Sequence, residues 1–343
     1  MTGFDHVALV LGGGNALGAY QGGAYAALHR RGLQINHVAG ASAGAINGGI
    51  IAGNAPENRL DRLGAMWRPA PGADVPASFW MPSSSDTARR SLAVTWSLTT
   101  GRTGMFRPRG TAIWQALVGD PLPSVYDTAE LQRTLETMID YARLNDGGIR
   151  YTATAVDLER GTDIAFDTHT ASVEAAHIRA SSALPPAFPP VEIEGRLFVD
   201  GGLSANLPLD PVLSDLPSGR TLCLAIDLLP AAAPRPRSLG ELAERAQDLI
   251  FAAQSRRSLA GWKAILDQRA DRAVTLVHLQ YADQEREVAG KAFDFSPETA
   301  HRRWAAGDRD MSAVLASLDA GEIAAGAPGL TIVRHADPNE DLT

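Results

Sequence analysis

At 343 residues, 45% hydrophobic and 20% charged, with no compositionally biased tract, the chain can bury a large core and reads as globular rather than disordered or fibrous. Its 31 basic and 39 acidic residues leave a net charge of −8, which gives the molecule no electrostatic reason to seek nucleic acid, and a single cysteine excludes an internal disulfide or a cysteine-built zinc site. Met1 to Leu11 lacks a basic, signal-like start and no apolar run approaches the ~18 to 20 residues that span a bilayer, so a soluble cytoplasmic protein with at most peripheral membrane contact is expected.

Val7 to Leu11 is a short apolar run that stops at Gly12, the pattern of a buried parallel strand feeding a glycine turn. Ala16 to Arg31 is alanine-rich and ends at Gly32, a helix with its stop signal. The unit then repeats: Val38-Ala39 ends a second strand, Gly40 to Gly44 turns, and a helix of small residues runs to about Gly53. Strand, helix, strand, helix at this spacing predicts a parallel sheet with helices on its faces.

Residues 69–126 interrupt the rhythm with prolines and large apolar side chains, among them Phe79, Trp80, Met81, Trp96, Met105 and Phe106, and read as an insertion over the site. Within it, residues 81–110 hold five arginines (Arg89, Arg90, Arg102, Arg107, Arg109) against one acid, Asp86. That segment is either a lipid-facing cap, with Trp80 and Trp96 as interfacial anchors, or a sheet-edge cover whose arginines stay solvated. The α/β pattern resumes with a helix over 128–143, strands at 150–156 and 163–166, a helix near 172–181, a proline-rich loop at 184–190 and a strand at Leu197-Phe198-Val199. The run Leu222 to Ile226, which holds Cys223, is a further buried strand. Beyond a Pro/Ala-rich linker ending at Pro236, long helices over 238–270 and 297–320 surround one apolar strand, Val274 to Leu279.

Three local features carry chemistry. Gly40-Ala41-Ser42-Ala43-Gly44 fits G-x-S-x-G between a strand and a helix, a turn so tight that small residues must flank a serine projected toward a helix N-terminus. Gly12-Gly13-Gly14-Asn15-Ala16-Leu17-Gly18 is neither a dinucleotide loop nor a phosphate loop. The G-x-G-x-x-G frame from Gly12 meets Leu17, residues 33–38 hold no carboxylate, and no Gly-Lys-Ser/Thr follows. What remains is a set of backbone N–H groups at a helix start, which in a hydrolase is an oxyanion hole. Asp200-Gly201-Gly202 ends a strand, and a carboxylate there is expected on the same sheet edge as the serine.

Together these features resemble the patatin-like phospholipase family, as do Ala180 to Pro185 leading to Phe188-Pro189-Pro190, and Asn206 with Pro208. The likeness covers roughly 7–215 as a catalytic domain. Residues 216–343, the last core strand plus a helical extension, are similar to the C-terminal part of a bacterial subgroup. The resemblance implies a three-layer α/β/α sandwich with a mostly parallel central sheet, and a lipid acyl hydrolase of phospholipase A or lipase type. It also implies a Ser42–Asp200 dyad without histidine, oxyanion donors at Gly13, Gly14 and Asn15, and supporting glycines at Gly12, Gly18, Gly40, Gly44, Gly201 and Gly202. Leu17 stands where many members carry a base, and Asn15 where many have glycine; asparagine tolerates left-handed geometry, so the loop is expected to survive that change.

Two other functions stay open: a carboxylesterase or thioesterase on other esters, and a catalytically silent scaffold on the same fold. A Ser-His-Asp hydrolase would need His177, His278 or His301 beside Ser42, and none of them stands in a recognisable catalytic loop; His169 lies in a surface-looking turn. No metal-binding pattern occurs, so neither metal nor cofactor is expected. The expected partner is a lipid or acyl ester substrate, with homo-oligomerisation through the helical extension as a further expectation.

Overall fold

The computed structural model describes residues 3–68, 85–110, 124–229, 231–269, 271–283 and 287–335. Strand β1 (His6–Leu11) alternates its side chains between two apolar layers: Val7, Leu9 and Leu11 face one, Ala8 and Val10 the other. Both faces of the sheet are therefore covered, which is why the run is apolar throughout rather than alternating. After a short 3-10 turn at Asn15–Leu17, helix α1 (Gly18–Arg31) ends at Gly32 in the left-handed conformation, φ 70°, with His29, Arg30 and Arg31 in its last turn.

β2 (His37–Gly40), α2 (Ala43–Ala52) and α3 (Pro56–Trp67) follow, the last with proline at its start. α4 (Asp86–Thr100), capped by Ser85, leads to a small hairpin of β3 (Arg107–Pro108) and β4 (Tyr126–Asp127). The expected helix over 128–143 is two helices, α5 (Ala129–Met138) and α6 (Tyr141–Asp146). Asp140 divides them because its carboxylate accepts the Arg143 N–H and starts a new helix. Of the expected insertion, 69–84 and 111–123, with Phe79, Trp80 and Met81, lie outside the described residues.

β5 (Arg150–Asp157), β6 (Asp163–Asp167), α7 (Ala175–Ser181), β7 (Val191–Ile193) and β8 (Arg196–Asp200) complete the centre. Two short helices, α8 (Gly202–Ala205) and α9 (Asp210–Leu213), lead to β9 (Arg220–Asp227). The C-terminal part comprises α10 (Leu239–Leu266), β10 (Ala273–Gln280), α11 (Pro297–Asp319) and β11 (Gly329–His335).

The main sheet runs β11-β10-β9-β1-β2-β5-β8-β7, with β6 also on β5. The six strands from β11 to β5 are parallel, and β6, β7 and β8 are antiparallel additions. One face packs on α1, α2, α3 and α11, the other on α9 and the second half of α10 through Leu259 and Leu266. The fold is thus a three-layer α/β/α sandwich with a mostly parallel sheet. The stretch after β9, expected as helices around one strand, contributes two strands to the same sheet: β11 was not anticipated because Thr331, Arg334 and His335 break its apolar run. α11 lies against α1 so closely that a Cβ on Gly23 would sit 1.9 Å from the Trp304 carbonyl oxygen, and one on Gly307 1.9 Å from that of Tyr20.

Candidate active site

The register of the sheet brings Ser42 and Asp200 to the same height. Gly40, the end of β2, pairs with Ala153 of β5, so the chain two residues on, at Ser42, is level with Ala155; and Ala155 pairs with Asp200. Asp200 was expected at the end of a strand, on the same sheet edge as the serine. β8 is antiparallel, so the chain reaches this level from the opposite direction, from beyond the carboxyl ends of the parallel strands.

Ser42 has φ 55° and ψ −123°, a backbone region that costs a non-glycine residue of order 1–3 kcal/mol and persists only where surroundings impose it. Those surroundings are specific. The Ser42 N–H points at Ser181 at the end of α7, 3.0 Å from its carbonyl oxygen and 3.1 Å from its Oγ, and the Ala41 N–H donates to the Leu11 carbonyl at 3.1 Å. A Cβ on Gly44 would lie 2.0 Å from the Leu11 oxygen, and one on Gly40 2.3 Å from the Gly44 oxygen, which is the steric reason for glycine at both ends of the motif.

Asp200 is 2% exposed. Burial pushes its carboxyl up to about 7 from an ordinary 3.8, and hydrogen bonds from the Gly202 N–H, at 2.7 Å, and from the Ser42 hydroxyl act against that rise. Gly201 leaves room for the Thr154 carbonyl, which a Cβ would meet at 2.4 Å, and Gly202 leaves room for Asn206 Oδ1.

Of the three expected oxyanion donors, Gly13 is buried and its N–H is spent on the Asn206 carbonyl at 3.1 Å. Gly14 and Asn15 are half-buried, line the cavity beside Ser42, and have backbone N–H groups with no acceptor among the described residues. Asn15 is left-handed, φ 51°, the conformation asparagine tolerates best after glycine. Gly12 is anchored by its N–H on the Ile226 carbonyl of β9.

Side chains whose roles local reading missed hold this loop. Asn206 Nδ2 donates to the Gly13 carbonyl at 3.2 Å, so one residue staples the loop through both side chain and backbone. Gln21 Nε2 donates to the Gly12 carbonyl at 2.7 Å; Asn47 Nδ2 donates to Gln21 Oε1 at 2.9 Å and to the Gly18 carbonyl at 3.0 Å; and the Trp67 indole N–H donates to Asn47 Oδ1. The Trp67 ring also packs where a Cβ on Gly18 would go. Buried Gln21 and Asn47 inside helices otherwise dominated by small residues were the available signal for this chain.

Ser42, Gly14, Asn15 and Asp200 open into a cavity of about 290 Å³ walled mainly by apolar side chains, including Trp67, Met105, Phe106, Phe188, Leu229 and Phe293. A cavity so lined can hold an apolar group with a polar end at the serine. Its outer wall comes from the C-terminal part, where Glu244, Asp248 and Phe251 of α10 and Lys291 complete the lining. No histidine lines it among the described residues. His177 serves in a capping box, His278 faces Asp227 at 3.3 Å, and His301 Nδ1 contacts the Pro297 carbonyl oxygen. No cluster of potential metal ligands occurs among the described residues.

Two of the five arginines of the 81–110 segment, Arg90 and Arg102, are turned inward, and Arg107 is exposed. Arg90 is buried on Glu287 and Asp294, Arg102 is buried and donates to the Met66 carbonyl, Arg89 pairs with Asp86 and Glu298, and Arg107 with Glu130. Arg90 and Arg102 are therefore neither lipid-facing nor solvated.

This geometry agrees with two family models: one described as patatin-like phospholipase matches residues 9–213, and one described as patatin phospholipase matches residues 236–322. Among individual proteins, a lysophospholipase NTE1 of Scheffersomyces stipitis is 24% identical over 239 residues, covering 69% of this chain and 12% of that protein. An uncharacterized NTE family protein of Mycobacterium tuberculosis is 31% identical over 209 residues, 60% of this chain and 45% of that one. The chain therefore spans less than half the length of either relative. The crystal structure of VipD from Legionella pneumophila aligns with a TM-score of 0.46 at 17% identity, covering 92% of this chain and 67% of that one. With the first family model spanning more than half of its residues, and with the serine elbow, buried aspartate and glycine loop meeting at one cavity, the chain belongs to the patatin-like phospholipase family.

Proposed function

We propose that this chain is a serine acyl hydrolase of phospholipase A or lipase type that cleaves lipid carboxylic esters, with Ser42 as nucleophile and Asp200 as its direct base. The observation that carries the reading is a strained serine facing a buried carboxyl, which titrates near neutrality, at the polar end of an apolar cavity. In this reading residues 7–215 carry the dyad, while 216–343 supply β9, β10 and β11 of the sheet and the outer wall.

Asp200 accepts the Ser42 proton as Oγ attacks the ester carbonyl, and the Gly14 and Asn15 N–H groups hold the resulting oxyanion. Collapse expels the alcohol, which takes the proton from Asp200, and leaves the acyl group on Ser42. Water then attacks the acyl-enzyme, its proton passing to Asp200, and the carboxylic acid departs as Ser42 regains its hydrogen. A base near 7 is half ionised at neutral pH and strong enough to take a proton in the transition state, which an ordinary aspartate is not. No cofactor enters any step. Action in the cytoplasm, peripheral contact with a membrane and self-association belong to the same proposal.

The test treats wild type, Ser42→Ala and Asp200→Asn with a fluorophosphonate probe and assays p-nitrophenyl esters of increasing chain length beside phosphatidylcholine. Labelling that both variants lose, with preference for longer acyl chains, supports the reading. Preference for acetate points to a carboxylesterase, and a wild type that neither labels nor hydrolyses points to a silent scaffold.

A further inference from the structure

The first half of α10 presents an apolar face beside the cavity, unpartnered among the described residues. Leu239, Leu242, Leu249 and Ile250 are 83%, 56%, 44% and 62% exposed. At 100° per residue they fall, with Ala243 and Ala246, within an arc of about 120°. A helix of a globular protein normally turns such a stripe inward, so four large side chains in water on one face call for an occupant.

The charges of the same helix are segregated around that stripe. Two of its acids turn toward the protein: Asp248 is buried on Lys291 Nζ at 2.6 Å and Glu244 accepts the Lys291 N–H at 3.1 Å; Glu241 accepts the Arg237 N–H at 2.6 Å at the exposed start of the helix. Arg256 and Arg257 are exposed on the solvent side, and Arg237 is exposed just before the helix begins. The stripe is therefore bordered by cations on a protein whose net charge is −8. A second copy of the chain would meet the same cations and an acidic body; a surface with an apolar interior and anionic headgroups complements both features.

The position relative to the cavity agrees. Phe251 and the exposed Gln247 line the cavity from the flank of α10 next to Ile250. Leu203, 44% exposed and three residues after Asp200, is tied to the helix by Gln254 Nε2 donating to its carbonyl at 3.2 Å. We propose that this face of α10, with Leu203, docks the protein on an anionic lipid surface and sets the mouth of the Ser42 cavity against the source of its substrate. The purpose of the surface rests on the lipid-ester reading; its existence does not.

Binding is therefore measured apart from turnover, by flotation of the Ser42→Ala protein with vesicles of phosphatidylcholine alone or with 30% phosphatidylglycerol, at low and high salt. The expected result is binding to the anionic vesicles that salt weakens. Partition should fall at least tenfold in Leu242→Asp/Ile250→Asp, and by about 25-fold on anionic vesicles only in Arg256→Gln/Arg257→Gln, since each cation near such a surface is worth about 1 kcal/mol, or roughly fivefold. The same pairs, made on wild type, should leave p-nitrophenyl acetate hydrolysis unchanged. Absence of vesicle binding, or equal binding by all variants, overturns the proposal. So does a dimer in sedimentation that Leu242→Asp/Ile250→Asp dissolves while vesicle binding persists, for then a second copy covers the face. Vesicle binding by a protein that hydrolyses no ester sinks the hydrolase reading and leaves the docking surface standing.

Discussion

Asp200→Asn is expected to abolish activity while stabilising the fold, by an amount that depends on pH. The buried carboxyl titrates near 7 rather than 3.8, so the native state holds its proton more tightly than the unfolded chain does. Ionisation therefore costs stability: nothing below the unfolded pKa, an increasing amount as pH rises from about 4 to 7, and a constant amount above. The difference of about 3 pH units, at 1.36 kcal/mol each, makes the full cost roughly 4 kcal/mol. Asparagine can still accept the Gly202 N–H but carries no charge, so the variant escapes that cost. Its advantage should grow from about 1.5 kcal/mol at pH 5 to roughly 4 kcal/mol at pH 8. With an unfolding entropy of about 2.1 cal/mol/K per residue, this is a Tm gain of roughly 5 °C at pH 8. Scanning calorimetry of both proteins from pH 5 to 9 reads the difference directly. A gap that does not change with pH, or a less stable variant at pH 8, would refute the view that Asp200 is a destabilised buried base.

Hydrolysis of a soluble ester should show kcat/KM rising with pH through an inflection near 7 to a plateau, because the base acts only when ionised; a flat profile between pH 5 and 9 would remove Asp200 from that role. Gly44→Ala forces a Cβ to within 2.0 Å of the Leu11 carbonyl and should cost about 3 kcal/mol or more in urea unfolding, whereas Gly148→Ala, with open space around it, should cost less than about 0.5 kcal/mol. Asn206→Ala removes the side-chain staple on the Gly13 carbonyl but keeps the backbone one; kcat should fall roughly 10- to 100-fold with KM little changed, and a pure KM effect would assign Asn206 to substrate binding instead.

The features visible in the sequence are those written in local runs. β1, its glycine turn, α1 and the serine elbow occupy consecutive residues whose apolar periodicity and small side chains reflect tight packing, and Asp200 was found through an Asp-Gly-Gly turn. What escaped depends on pairings across long separations. The antiparallel approach of β8 is decided by its partner β5, not by its own residues. Arg90 looked like part of a surface patch because Glu287 and Asp294, which absorb it, lie some two hundred residues away. Gly13 looked like an available donor because nothing near it in sequence announces the Asn206 carbonyl. The outer wall of the cavity comes from a helix whose own pattern shows only that it is long.

β1 is made before the other described strands of its sheet, yet its neighbour on one side is β9, more than two hundred residues later, and α1 finds its tight partner only in α11. The anchor of Gly12 on Ile226 cannot form until β9 has been synthesised. Because contacts so distant in sequence form late and slowly, the nascent chain carries Ser42 without the anchored glycine loop until β9 has been made. Order of assembly alone thus delays the proposed activity until the fold that would confine it is complete.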